Sequence, residues 1–99
     1  LAAGAGGAEF LAAWRDVLLP AMLAAKPDLI IISAGFDAHR ADPLATLTVE
    51  TDDFAALTDD IIQLAEETSE GRILSLLEGG YDLTALANSC AVHLDRLSA

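Results

Sequence analysis

The chain has 99 residues and a formal net charge of −11, and 54% of its residues are apolar. This length and composition fit one globular unit of ordinary domain size. With only five lysines and arginines, the chain is a poor candidate for direct binding to nucleic acid or to an anionic membrane surface, because both need clustered cations.

Other features of the sequence indicate the cellular compartment in which the protein is expected. Cys90 is the one cysteine, so an internal disulfide is excluded, and we expect a protein of the reducing cytoplasm. No apolar run approaches the roughly 20 residues of a membrane-spanning helix, so we expect no membrane partner. The first residue is Leu1 rather than methionine, and an alanine- and glycine-rich run follows. We therefore expect this chain to be part of a longer protein.

The first predicted elements are a helix and a strand. Apolar residues spaced by three and four predict a helix over residues 8–26, with a kink at Pro20. Pro27 ends this helix and a strand follows over residues 28–33. The apolar run of residues 29–32 fits a strand that is buried on both faces, as in parallel sheets covered by helices.

A long loop follows this strand. Ligands in open parallel sheets bind beyond the carboxyl ends of the strands, which is where Asp37 lies. The loop over residues 34–50 is long for a compact unit, so we expect it to be functional. Within it, Asp42 is expected to order the loop by accepting backbone hydrogen bonds, and His39 to point away from any metal.

The second half of the chain predicts a helix, a strand and a last helix. Thr51 or Asp52 caps the first of these helices, and Gly71 ends it before a buried strand over residues 72–77. Asp82 caps the last helix, and His93 is expected at its surface or rim. The buried stripes are predicted to be Phe54, Leu57, Ile61, Leu64 and Ala65 in the first helix, and Leu83, Leu86, Cys90, Leu94 and Leu97 in the last.

The order helix, strand, helix, strand, helix predicts an α/β fold with a parallel pair and a right-handed crossover. Both strands then end at one edge of the sheet, which brings Asp37 near Tyr81. A carboxylate can bind a metal or act as a base, and a phenol can donate a hydrogen bond to developing negative charge. Taken singly, Asp37 could equally cap a turn and Tyr81 could be a packed aromatic residue.

Several motifs together carry a family resemblance. They are Pro27-Asp28-Leu29, Ser33-Ala34-Gly35-Phe36-Asp37-Ala38-His39, Asp42-Pro43-Leu44 and Leu77-Glu78-Gly79-Gly80-Tyr81-Asp82-Leu83. In this order they resemble the carboxyl-terminal part of the class II-like zinc-dependent histone deacetylases and the acetylpolyamine amidohydrolases. The resemblance implies that residues 1–99 are one unit, the carboxyl-terminal portion of a larger deacetylase domain with parallel strands sandwiched by helices, an arginase/deacetylase-like three-layer fold.

The resemblance also implies roles for single residues. Asp37 would be one of the zinc ligands, and Tyr81 would polarise the substrate carbonyl and stabilise the tetrahedral intermediate. Leu44, Gly79 and Gly80 would line the channel for an acetyl-lysine or a small acetylated amine.

The rest of such a site is absent from the sequence. A catalytic zinc site needs three protein ligands, and the family's other two ligands and its paired histidines would lie upstream. We therefore expect this chain to be inactive by itself and to self-associate through an exposed sheet edge or apolar face. The alternative is a small, complete, non-catalytic α/β binding or assembly module.

Overall fold

The computed structural model describes residues 1–99, and its elements follow the predicted order. They are α1 (Gly7–Ala13), a π-helical turn (Trp14–Leu18), α2 (Leu19–Ala25), β1 (Ile30–Ala34), α3 (Thr51–Thr68), β2 (Ile73–Leu77) and α4 (Leu83–Leu97). None of these helices combines the length and the apolar character that crossing a bilayer requires.

The predicted amino-terminal helix is present, but its middle turn is wider than an α-helical turn. The N–H of Leu19 donates to the carbonyl of Trp14, five residues earlier. Pro20 follows directly, and in a regular α-helix its ring would clash with the carbonyl four residues before it. The expected disturbance at Pro20 therefore takes the form of a π-helical turn just before the proline.

The two strands form a parallel sheet, as predicted. Their register pairs Ile30 with Ile73 at one end and Ala34 with Leu77 at the other. α3 makes the crossover between them. This arrangement confirms the α/β fold with a parallel sheet.

The helices of this chain cover one face of the sheet. On that face Ile30 packs in a cluster with Ile61, Leu64 and Ala65 of α3. On the opposite face Ile31 is 59% exposed and Leu74 is 48% exposed. The expectations that residues 29–32 are buried on both faces and that residues 72–77 form a buried strand are therefore wrong for this chain, because no element of it covers the second face.

A second cluster lies under the carboxyl ends of the strands. It contains Ala34, Phe36, Val49 and Phe54, all buried. The rings of Phe36 and Phe54 meet edge to face, with centroids 5.1 Å apart. This cluster fixes the beginning and the end of the loop between β1 and α3, because it includes residues from both.

The caps of α3 and α4 differ in how well the sequence predicts them. Glu50, rather than Thr51 or Asp52, precedes the first turn of α3, and its N–H donates to the Asp53 carboxylate over 2.9 Å. The hydroxyl of Thr51 instead pairs with His39. Asp82 caps α4 as predicted, by accepting from the N–H of Ala85.

The buried face of α4 agrees with the prediction only in part, since Leu86 and Cys90 of the predicted stripe are half-buried against the second cluster. Ala85, Ser89 and His93 are its buried residues, whereas Leu83 is 80% exposed and Leu94 is 62% exposed. The three buried positions are spaced by four residues, and two of them are small, so α4 can approach α3 closely along this line. The prediction that His93 lies at the surface or rim is therefore wrong.

Candidate active site at the carboxyl ends of the strands

Asp37 lies on an exposed loop that a buried residue anchors. Phe36, only 5% exposed, belongs to the cluster beneath the sheet edge, and the Asp37 side of the loop faces solvent. The sequence order of one buried aromatic residue followed by one carboxylate therefore presents the carboxylate at the sheet edge.

The ends of the two strands remain joined beyond the regular sheet. The N–H of Phe36 donates to the carbonyl of Gly79 over 2.9 Å, and the N–H of Glu78 donates to the carbonyl of Ala34 over 3.1 Å. The loop that bears Asp37 and the turn that leads to Tyr81 are thus neighbours, as the parallel arrangement predicts.

Glycine is needed at positions 79 and 80 of this turn for different structural reasons. A Cβ on Gly79 would lie 2.9 Å from Oδ2 of Asp37 and 3.0 Å from its Cγ. Gly80 has a φ of +139°, and a Cβ there would lie 2.7 Å from Cδ1 of Leu86. Gly79 therefore leaves room for the carboxylate, and Gly80 lets the chain turn toward α4.

Tyr81 combines a fixed backbone with an exposed side chain. Its N–H donates to Oδ2 of Asp42 over 2.7 Å, and the next residue, Asp82, caps α4. Tyr81 itself is 55% exposed. More than half of the surface of this residue is therefore open to solvent.

Asp42 is buried, and both of its carboxylate oxygens accept backbone hydrogen bonds. Besides the bond to Tyr81, Oδ1 accepts from the N–H of Leu44 over 2.9 Å. Burial alone would raise the pKa of the Asp42 carboxyl, but the N–H groups of Tyr81, Leu44, Ala45 and Asp82 together lower this pKa below its ordinary value. The predicted loop-ordering role of Asp42 agrees with this geometry.

The bond from Asp42 to Tyr81 is the part of the site that sequence reasoning missed. It joins residues 39 positions apart, and no local pattern specifies such a partner. The one available indication was a carboxylate beside a proline in a long loop, which predicts local turn bonds only.

Leu44 lies near Asp37. Its side chain is 72% exposed, and together with Asp37 it lines a shallow surface depression whose other walls are Ala38, Ala45, Thr46 and Leu47. Tyr81 is not among the residues that line this depression. The structure thus brings Asp37 next to Gly79 and Leu44 and holds Tyr81 through Asp42.

His39 has no free ring nitrogen. Its Nδ1 accepts from the N–H of Ala41 over 3.1 Å, so in the neutral ring Nε2 carries the proton and donates to Thr51 Oγ1 over 3.0 Å. Both nitrogens thus have partners inside the protein.

The residues of this chain do not form a complete metal site. No group of three histidine, cysteine, aspartate or glutamate side chains is arranged to hold a metal ion, whereas a catalytic zinc needs three protein ligands.

Sequence comparisons identify relatives over almost the whole chain. The family profile described as histone deacetylase domain matches residues 1–97. Histone deacetylase 14, chloroplastic, of Arabidopsis thaliana is 41% identical over 91 residues, which are 92% of this chain and 22% of that protein. Polyamine deacetylase HDAC10 of Mus musculus is 40% identical over 94 residues, which are 95% of this chain and 14% of that protein.

A solved structure is also similar. The HD domain of HDA15 superposes with a TM-score of 0.88 at 35% identity, covering 97% of this chain and 26% of that one. The chain therefore spans about a quarter of the length of this structure and about a fifth of the length of the first curated relatives.

Proposed function

Because this chain belongs to the histone deacetylase family, we propose that it supplies the carboxyl-terminal part of the active site of a zinc-dependent amidohydrolase. The reaction is hydrolysis of the amide bond between an acetyl group and the nitrogen of an acetylated lysine or small amine. The observation that carries this proposal is the junction of the Asp37 loop with the Gly79-Gly80-Tyr81 turn through the bond from Phe36 N–H to the Gly79 carbonyl.

Asp37 has the role of a metal ligand in this proposal. Its carboxylate is exposed at the sheet edge, and Gly79 leaves space beside it. The chemistry that a bound zinc supplies is polarisation of the acetyl carbonyl and activation of a water molecule. Because this chain contains one of the three ligands needed, its part in that chemistry is to hold the Asp37 carboxylate at a fixed place.

Tyr81 has the role of a hydrogen-bond donor to the reacting carbonyl. When water adds to the acetyl carbon, negative charge develops on the carbonyl oxygen, and the phenol O–H donates to that oxygen. Such a donor is worth about 10²- to 10³-fold in kcat when it is held in place beforehand. The backbone of Tyr81 is held by Asp42 and by the cap of α4.

Leu44, Gly79 and Gly80 form the wall for the substrate chain. Lysine and small amines carry their acetylated nitrogen on methylene groups, which favour a channel wall without polar side chains. Leu44 is exposed beside Asp37, and the glycines present no side chain. The names of the relatives include both histone deacetylases and a polyamine deacetylase, and an acetylated primary amine is the substrate feature that the two kinds share.

Acetate release tests the proposal. The full-length gene product is incubated with an acetyl-lysine peptide and, separately, with an acetylated polyamine, beside the 99-residue chain alone. We expect release by the gene product with at least one substrate and none by the 99-residue chain. A zinc-loaded gene product that is inactive on both substrates would favour the alternative of a non-catalytic binding or assembly module. Comparable acetate release by the 99-residue chain would refute the proposal that its site is incomplete.

Two variants of the gene product separate binding from catalysis. Asp37→Ala is expected to lose bound zinc and activity together. Tyr81→Phe is expected to keep its zinc and lose rate. Zinc retention by Asp37→Ala at the wild-type level would contradict the ligand role.

A further inference from the structure

We propose that Asp42 is a positioning residue, whose carboxylate fixes the place of Tyr81 relative to Asp37 and Leu44. The inference rests on the proposed function, since it assigns Asp42 a part in the same reaction. Asp42 acts through its neighbours and touches no reacting atom.

The first argument is the pair of bonds that one carboxylate makes. Oδ2 accepts from the Tyr81 N–H over 2.7 Å, and Oδ1 accepts from the Leu44 N–H over 2.9 Å. One rigid planar group therefore connects the residue proposed to donate to the substrate carbonyl with the residue proposed to line the substrate channel. A change at Asp42 alters both positions together.

The second argument is the rigidity of the loop that carries Asp42. The N–H of Asp42 donates to the carbonyl of His39 over 3.0 Å. His39 is buried, its Nε2 pairs with Thr51 at the start of α3, and its backbone pairs with that of Val49. Asp42 is thus fixed to the body of the protein, and through it Tyr81 is fixed as well.

The third argument is that the turn before Tyr81 has little support besides Asp42 and the α4 cap at Asp82. It passes through two glycines, and Gly80 has a φ of +139°, a conformation that glycine adopts freely. Tyr81 itself is 55% exposed, so packing restrains its side chain weakly. The bond from Phe36 to Gly79 holds the start of the turn, and the carboxylate of Asp42 holds its end.

The fourth argument is that this task needs a carboxylate rather than an amide. An ionised aspartate offers two acceptor oxygens and no donor, which suits two incoming N–H groups. An asparagine offers one acceptor, and its amide group would face the second N–H as a donor. The backbone donors around Asp42 also lower its pKa, so the ionised form persists despite burial.

The kinetic test is a double-mutant cycle in the full-length gene product, with Asp42→Asn, Tyr81→Phe and the two combined. Asp95→Asn, an exposed substitution on α4, is the matched control and is expected to leave kcat unchanged. We expect Asp42→Asn to lower kcat by about 10- to 100-fold, as a small displacement of a reacting group does, with bound zinc unchanged and KM altered less than kcat.

The cycle distinguishes positioning from general stability. If Asp42 acts through the phenol, adding Asp42→Asn to Tyr81→Phe should change kcat by less than about twofold, since the second effect is already lost. If the two losses multiply, or if Asp42→Asn releases zinc, the inference is wrong.

A second readout does not depend on activity. Amide hydrogen exchange at Tyr81 is expected to speed up at least about tenfold in Asp42→Ala, because the N–H loses its partner, and to stay unchanged in Asp95→Asn. Equal exchange in wild type and Asp42→Ala would overturn the inference. If the wild type releases no acetate, the proposed function fails, and this exchange result then decides whether Asp42 holds Tyr81.

Discussion

The Asp37 carboxylate occupies the space that a side chain at position 79 would need. A Cβ on Gly79 would lie 2.9 Å from Oδ2 of Asp37. Gly79 is not among the glycines with positive φ, so its backbone conformation is open to other residues. The glycine is therefore required here by the neighbouring carboxylate and not by the turn.

The first prediction concerns the substitution Gly79→Ala. The added methyl group is expected to displace the Asp37 carboxylate and to weaken zinc binding by about 10- to 100-fold, the range seen when a partner of a metal ligand is disturbed. Competition titration of zinc against a chromophoric chelator, on the full-length gene product, measures this change.

Gly71→Ala is the matched control for Gly79→Ala. Gly71 has a φ of +76°, and nothing lies within 4 Å of the Cβ it lacks. Alanine there is expected to lower the free energy of unfolding by about 1 kcal/mol through backbone strain and to leave zinc affinity unchanged. Wild-type zinc affinity in Gly79→Ala would show that Asp37 does not need the space.

The second prediction concerns the buried imidazole of His93. Thr58 donates its hydroxyl proton to the carbonyl of Phe54 over 2.7 Å, so its oxygen accepts from Nδ1–H of His93 at 2.9 Å. Nε2 then accepts from the hydroxyl of Ser75 at 2.8 Å. Burial lowers the pKa of His93 below its ordinary value, because the fold favours the neutral ring over the charged one.

This pKa shift makes stability depend on pH. In the unfolded chain His93 titrates near its ordinary value of about 6.5 and binds a proton more readily than in the fold. Its contribution to stability is therefore complete above about pH 6.5 and is lost as the pH falls below that value. The melting temperature of the protein, measured from pH 7.5 to pH 5.5, should decrease in this way.

His93→Gln isolates the contribution of this residue. The variant should be less stable at pH 7.5, by about 1–3 kcal/mol for a disturbed buried hydrogen-bond pair, but its stability should fall less between pH 7.5 and pH 5.5 than that of the wild type. An equal decrease in both proteins over this range would show that His93 does not cause the dependence.

Local patterns were sufficient to predict the elements and their order. Proline and glycine punctuation placed both strands within about two residues of their observed bounds, and the Asp82 cap was predicted from residue type alone. The approach of Asp37 to the turn before Tyr81 also followed from general rules, because neighbouring parallel strands end at the same edge.

Features that depend on tertiary contacts were not predictable in this way. The apolar stripe of α4 indicated the leucines and Cys90, but the fully buried residues of this helix are Ala85, Ser89 and His93. His93 is buried because Thr58 and Ser75 lie where its nitrogens need partners. The carboxylate of Asp42 reaches Tyr81 across a separation that no local rule covers.

The third prediction concerns the uncovered face of the sheet. Ile31 and Leu74 lie side by side there, 59% and 48% exposed. Expressed as it stands, the 99-residue chain should self-associate through this face at high concentration, because a contiguous apolar patch is unfavourable in water. Light scattering coupled to size-exclusion chromatography measures the mass of the species formed.

Substitutions on the uncovered face of the sheet and on α4 show which of these two surfaces mediates the association. Ile31→Thr combined with Leu74→Thr should reduce the mass toward that of the monomer, because threonine keeps the strand preference and removes apolar area. Leu94→Gln, at a 62% exposed position on α4, should leave the association unchanged. A wild-type chain that stays monomeric at high concentration would contradict the prediction.

In the proposed reaction Tyr81 donates to a carbonyl that is activated beside Asp37. The decisive measurement is kcat for acetate release by Tyr81→Phe in the full-length gene product, with zinc content matched to the wild type. We expect kcat to be lower by about 10²- to 10³-fold. A kcat equal to that of the wild type at equal zinc content would contradict it.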